Sequence, residues 1–267
     1  MTASQHPNHL RRLLESGSPA YGTASALPSA LAIEQVASAG FDYVFIDMQH
    51  GLSTFSDLPS LCMMAQKFAT TPLVRVLFND FSGAQRALDA GAEGIIFPLI
   101  DSAQSARQAV DACRYPPAGN RSFGPYWSPY GADCAWANSQ VLCFAMIESI
   151  AGLERLDEIL TTPGLDGVYV GPNDLSISMG EGPVMASLYT STSPKTASIN
   201  PALQKALENI VAACKRHNKH TGLQVATGGA AASAALAGFA FVGIGGDTSF
   251  MATGAGLELL AAKRGIV

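Results

Sequence analysis

Asp166-Gly-Val-Tyr-Val-Gly-Pro-Asn-Asp-Leu-Ser-Ile-Ser-Met-Gly180 reads as a short apolar strand, Val168 to Val170, that stops at Gly171-Pro172 and turns into a helix beginning Asn173, Asp174, Leu175. A carboxylate just beyond a strand has two readings. It caps the helix, or it marks the carboxyl end of a barrel strand, where helix amides favour anions and the carboxylate itself can hold a cation. The choice depends on whether other strands end the same way.

Outward from this stretch the chain alternates. A short amphipathic helix carrying Leu10, Leu13 and Leu14 precedes a strand at Tyr21 to Ala26, then helix Ser29 to Ser38, strand Tyr43 to Asp47 and helix Asp57 to Phe68. Strand Leu73 to Leu77, helix Ser82 to Ala90, strand Gly94 to Pro98 and helix Ser102 to Cys113 follow, then strand Leu142 to Glu148 and helix Leu153 to Leu160. After the Asp174 turn come helix Pro201 to Lys215, strand Gly222 to Val225, helix Ala230 to Leu236, strand Phe241 to Ile244 and helix Thr248 to Ala262. Leu203, Ala206, Leu207, Ile210, Val211 and Cys214 share one helical face. The strands are short continuous β-branched and aromatic runs, as suits strands covered on both sides. Eight such units in 267 residues predict an α/β fold, a (β/α)8 TIM barrel, with an open doubly wound sheet as the lesser alternative.

The expected organisation is one domain over 1–267, with a helical extension at 1–20 and long loops at 114–140 and 181–200. The first loop carries Tyr115, Phe123, Tyr126, Trp127, Tyr130 and Trp136, enough aromatic surface to cover a pocket or a neighbouring subunit. A net charge of −5 without a Lys/Arg cluster argues against nucleic acid. No run approaches the ~18–20 apolar residues of a membrane span, and no signal peptide is legible. Cys62, Cys113, Cys134, Cys143 and Cys214 are odd in number and lack C-x-x-C spacing, which predicts reduced thiols in a cytoplasmic protein.

The strand ends do carry chemistry: Asp47 and His50, Arg75, Glu148, Asp174 and Asp247. Glu148 closes the run Leu-Cys-Phe-Ala-Met-Ile, and Arg75 interrupts Leu-Val-Arg-Val-Leu, where a charge is costly unless paired or liganded. One reading pairs Glu148 with Arg75 as a buried ion pair. The other makes Glu148 and Asp174 ligands of a hard divalent ion, Mg²⁺ or Mn²⁺ with Co²⁺ possible, since no thiolate or His pair stands beside them. His50 is either a surface histidine or a proton carrier near neutral pH, with Asp47 three residues earlier to orient its imidazole.

Five segments together resemble the metal-dependent class II pyruvate aldolases acting on 4-hydroxy-2-oxo acids: Gly40-Phe-Asp-Tyr-Val-Phe-Ile-Asp-Met-Gln-His-Gly51, Val74-Arg-Val76, Leu88-Asp-Ala-Gly-Ala92, Arg114-Tyr-Pro-Pro-Ala-Gly-Asn-Arg121, and Ile147-Glu148 with Gly171-Pro-Asn-Asp-Leu-Ser176. The resemblance implies aldol cleavage to pyruvate and an aldehyde, with Glu148 and Asp174 on the metal, Arg75 facing the keto oxygen and His50, oriented by Asp47, as general base. It also implies that backbone amides around Gly171, Pro172, Asp174 and Leu175 receive the substrate carboxylate. It implies a homo-oligomer, a hexamer or trimer of dimers, in which a neighbour's loop, here the one with Trp127, completes the aldehyde pocket. Two positions depart from the family's usual pattern: Gln49 stands where Glu commonly precedes the histidine, and Met146 where Gln is frequent. Alternatives using the same site are a lyase on an acyl-CoA ester, an oxaloacetate decarboxylase, and a barrel that binds 2-oxo acids without turnover.

Overall fold

The structure is a computed structural model describing residues 6–184, 188–189 and 200–264. It opens with α1 (His9–Ser16), β1 (Ala20–Ser25), α2 (Ala30–Ser38), β2 (Tyr43–Asp47), α3 (Leu58–Lys67), β3 (Thr71–Arg75), α4 (Phe81–Asp89), β4 (Gly94–Phe97) and α5 (Ala103–Cys113). Then come α6 (Cys134–Gln140), β5 (Leu142–Ile147), α7 (Ile150–Glu154), α8 (Leu156–Leu160), β6 (Gly167–Val170), α9 (Pro172–Ser178), α10 (Pro201–Arg216), β7 (His220–Val225), α11 (Gly228–Leu236), β8 (Phe241–Gly246) and α12 (Asp247–Arg264). The strands close in chain order into an eight-stranded barrel in which every neighbouring pair is parallel, β8 returning onto β1. The (β/α)8 barrel is therefore the fold. Among the described residues no helix is long and apolar enough to cross a membrane.

Period-2 alternation divides each strand between two cores. Val44, Ile46, Val74, Ile95, Ile147, Val168, Val170, Leu223 and Val242 face the helices. Tyr43, Phe45, Leu73, Ile96, Phe144, Met146, Tyr169 and Phe241 fill the interior, closed at the amino-terminal end by Leu10 and Leu14 of α1. Gly22 and Gly222 make room for these rings, since a Cβ at either would overlap Tyr43 or Phe241.

Three expectations change. The strand expected at Leu73 to Leu77 runs two residues earlier, Thr71–Arg75. Pro72 is tolerated inside it because its carbonyl still accepts from the Glu93 amide at 2.9 Å. Arg75 is therefore the strand's last residue, at the carboxyl-terminal rim of the barrel. The helix expected at Leu153 to Leu160 is two short ones, α7 and α8. The loop expected at 114–140 ends at 133, where Asp133 accepts the Trp136 amide and caps α6. Of the loop expected at 181–200, residues 185–187 and 190–199 lie outside the described residues.

α12 differs from the other long helices. Asp247 is buried, but every residue from Thr248 to Arg264 is exposed. Its apolar residues Met251, Leu257 and Leu259 are 64%, 61% and 57% exposed. On the helices that flank the eighth position, Leu31 of α2 and Leu236 of α11 are 70% and 91% exposed.

Candidate active site

The strand ends surround a cavity of about 380 Å³ lined by Asp47, His50, Arg75, Met146, Gly171–Asp174, Gln224 and Gly245–Ser249, with Phe45 and Tyr169 on its floor side. Asp47 and Arg75 meet because β2 and β3 place them directly opposite in register. Arg75 donates from Nε to Asp47 Oδ1 at 3.0 Å and from Nη2 to Oδ2 at 2.6 Å, a side-on fork that fixes the guanidinium plane over the Phe45 ring, 5.5 Å from its centroid. Nη1 is left facing the Met146 thioether at 3.9 Å, a weak acceptor. Burial alone would raise the Asp47 pKa, but the Arg75 guanidinium and the His50 and Gln49 amides outweigh it and hold the carboxyl below its ordinary range.

The ion-pair reading of Arg75 is thus right in kind but wrong in partner, which is Asp47 and not Glu148. The expected orientation of the His50 imidazole by Asp47 is also corrected. Asp47 Oδ1 accepts the backbone N–H of His50 at 3.1 Å and of Gln49 at 3.0 Å. The His50 side chain is exposed at the mouth of the cavity.

Glu148 is 5% exposed and sits behind Gly171. Its Oε1 accepts the Leu99 N–H at 2.7 Å. Its Oε2 lies so close to Gly171 that a Cβ there would be 2.6 Å away. Leu99 adopts φ +54, a left-handed conformation that is costly for a leucine and that aims its amide at the carboxylate. Burial raises the Glu148 pKa, the Leu99 amide opposes this, and the negative charge of Asp174 adds to the rise.

Asp174 lies exposed in the first turn of α9 and lines the cavity. It does not cap the helix, because the N-cap is Gly171 with Pro172 after it. Neither Glu148 nor Asp174 has an ion-pair partner among the described residues. A buried carboxylate of raised pKa beside a second one has donor chemistry that suits a hard divalent cation. Among the described residues no third His, Cys, Asp or Glu joins them, so oxygens of water or substrate would complete the shell.

Of the amides expected to receive a carboxylate, two are already engaged. Gly171 N donates to the Ile147 carbonyl at 3.1 Å and Leu175 N to the Gly171 carbonyl at 3.0 Å, and the Leu175 side chain is buried in the outer core. Pro172 has no N–H to give. The Asp174 amide, in the first helical turn, has no acceptor within the helix.

Two residues escaped notice in the sequence. Gln224 accepts from the Tyr169 hydroxyl at 2.9 Å and spans the floor of the cavity to the Gly245 carbonyl. A polar residue inside Gly-Leu-Gln-Val225 was the same kind of signal as Arg75 in its strand. The grip of Leu99 on Glu148 is a backbone contact and leaves no mark in side-chain chemistry.

The profile of the family described as HpcH/HpaI aldolase/citrate lyase matches residues 24–252. The chain belongs to this family. Like other members of the HpcH/HpaI family, it aligns along nearly its whole length. The 4-hydroxy-2-oxo-heptane-1,7-dioate aldolase of Salmonella arizonae is 32% identical over 264 residues, covering 97% of this chain and 95% of that one. The hydroxypyruvate/pyruvate aldolase of Rhizorhabdus wittichii is 34% identical over 254 residues, 93% and 96% of the two chains. A crystal structure of an HpcH/HpaI aldolase/citrate lyase family protein from Burkholderia cenocepacia J2315 superposes with TM-score 0.83 at 28% identity, over 95% of this chain and 98% of that one. The chain is accordingly a carbon–carbon lyase of the aldolase kind.

Proposed function

We propose that this protein is a divalent-metal-dependent aldolase that reversibly cleaves a 4-hydroxy-2-oxo acid to pyruvate, or a related 2-oxo acid, and an aldehyde. The observation that carries this reading is the uncompensated Glu148–Asp174 carboxylate pair facing an arginine whose Nη1 is left over for a ligand. Glu148 and Asp174 would hold Mg²⁺ or Mn²⁺, and Co²⁺ suits the same donors. Such an ion, when bound, supplies electron withdrawal from a 2-oxo acid.

Arg75, pinned by Asp47, directs Nη1 at the 2-oxo oxygen and stabilises the charge that grows there as the C3–C4 bond breaks. His50 takes the proton from the 4-hydroxyl, the C3–C4 bond breaks with C4 leaving as the aldehyde carbon, the bond's electron pair passes to the 2-oxo acid half as its enolate, and a proton then added at C3 gives pyruvate. The first turn of α9, around Gly171, Pro172 and Asp174, faces the substrate carboxylate.

Purified protein given 4-hydroxy-2-oxo acids is expected to release pyruvate, to stop in EDTA and to recover with Mg²⁺ or Mn²⁺. Borohydride is expected to leave no pyruvate on the protein. Full turnover in EDTA with a trapped pyruvyl-lysine overturns the reading, and turnover of oxaloacetate alone replaces it with a decarboxylase.

The same proposal includes a homo-oligomer. An 18-residue helix whose Phe250 stacks on Phe41 while Met251, Leu257 and Leu259 stay mostly exposed calls for a second surface, and Leu31 and Leu236 mark the vacancy on a neighbouring copy that it would fill. Trp127 cannot cover its own site. Its amide donates to the carbonyl of Asp89 at the end of α4, at the amino-terminal face of the barrel, which supports a role on a neighbour's site. Light scattering is expected to give a multiple of 27.8 kDa, and Leu257→Glu with Leu259→Glu to give smaller species. An unchanged mass in the double variant removes α12 from the interface. The five cysteines are free thiols, which fits a cytoplasmic setting.

A further inference from the structure

We infer that Asp247 is a positioning residue for this reaction, holding His50 in place through the backbone of Ala26. The inference rests on the aldolase reading of the site. Asp247 follows β8 directly, lines the cavity and is 3% exposed, yet among the described residues no cation pairs with it. Its oxygens are filled instead by the loop after β1. Oδ2 accepts the Ser25 hydroxyl at 3.0 Å and the amides of Ala26 and Leu27 at 3.1 Å each. Oδ1 accepts the Ala26 amide at 3.1 Å and that of Thr248 at 2.7 Å. A buried carboxylate is tolerated only when satisfied in this way, and the cost of disturbing it falls on the Ala26 loop.

Ala26 passes that order on. Its carbonyl accepts the Leu52 amide at 2.8 Å. Gly51 is pressed between Ala26 and the Asp47 carbonyl: a Cβ on Gly51 would lie 3.1 Å from Ala26 Cα and 3.2 Å from its oxygen, and would overlap the Asp47 oxygen. His50 is therefore held from both sides, by Asp47 Oδ1 on its own amide and by Gly51–Leu52 seated on Ala26. Its imidazole has no hydrogen bond among the described residues to fix it, so its reach is set by this backbone. Asp47 and Asp247 thus secure the two ends of one short segment.

Asp247→Asn keeps the shape but turns one acceptor into a donor facing the amides of Ala26, Leu27 and Thr248. The cleavage kcat is expected to fall about 10- to 100-fold, the scale of a displaced proton-transfer group. Mg²⁺-dependent affinity for oxalate, which depends on Glu148, Asp174 and Arg75, is expected to stay at the wild-type value. The limb of the pH–kcat profile that His50→Gln removes is expected to shift, and the amides of Ala26, Leu27 and Leu52 to lose protection from hydrogen exchange. A purely structural role predicts parallel loss of Tm and oxalate binding with the pH profile unmoved, and that pattern overturns the inference, as does full activity. Should the variant not fold, Ser25→Ala removes one hydrogen bond to Oδ2 and is expected to lower kcat about threefold with oxalate binding intact; an unchanged kcat there overturns it equally. A wild-type protein that binds oxalate but cleaves nothing defeats the aldolase reading itself, whereas an active wild type beside a fully active Asp247→Asn defeats only the role of Asp247.

Discussion

Glu148→Gln is expected to lower turnover by about 10³-fold or more, with the loss not recovered at any Mg²⁺ or Mn²⁺ concentration that the wild type needs. The amide matches the carboxylate in shape and can keep the Leu99 N–H on its carbonyl oxygen. What it gives up is the charge, and with it one of the two proposed anionic donors. The apo protein should fold at least as well, because burial and the nearby Asp174 already make the charged form of Glu148 unfavourable. The sign of the pH effect follows from the same shift. A raised pKa means that protons occupy Glu148 at pH values where an ordinary glutamate is bare, so apparent metal affinity in the wild type should weaken as pH falls, and excess metal should restore activity. Calorimetric titration of metal into both proteins checks this. Equal metal affinity in Glu148→Gln and wild type would falsify the ligand assignment.

Arg75→Lys is the second large effect, about 10²- to 10³-fold in kcat with a smaller change in KM. Arg75 does two things at once, giving Nε and Nη2 to Asp47 while Nη1 faces the cavity past Met146. A lysine ammonium is a point charge and cannot do both in a fixed plane. It also leaves Asp47, otherwise held below the ordinary carboxylate range by the guanidinium, with a poorer partner beneath the His50 segment. Lysine is preferred to alanine as the test because stripping one member from a buried pair costs roughly 3–5 kcal/mol and confounds activity with folding. Steady-state kinetics beside a thermal melt separates the two. A kcat within about threefold of wild type means that the guanidinium does not polarise the keto oxygen.

Much of this candidate site is legible in the sequence, and for one reason. Charges inside short apolar runs, Arg75 and Glu148, are expensive unless employed. What the sequence does not display is geometry between strands. The spacing of Asp47 and His50 in one segment suggested that they were partners, but register across β2 and β3 sets Asp47 opposite Arg75. No one-dimensional pattern shows that. β3 begins two residues before the expected Leu73 because Pro72 needs only its carbonyl on that side of the ladder, a matter of pairing that the strand's own residues do not display. The apolar content of α12 was equally plain in the sequence, but periodicity tells a helix what to bury and not on whose surface.

The aromatic filling of the barrel has a kinetic corollary. With Tyr43, Phe144 and Phe241 packed solid and Leu10 and Leu14 sealing the far end, the molecule is a bottle and not a pipe. Whatever lies deepest, against Arg75 and Gly171, must arrive first in synthesis and depart last in cleavage. On the proposed binding mode the aldehyde, nearer the neck, leaves first, and the 2-oxo acid is the product expected to block the next round.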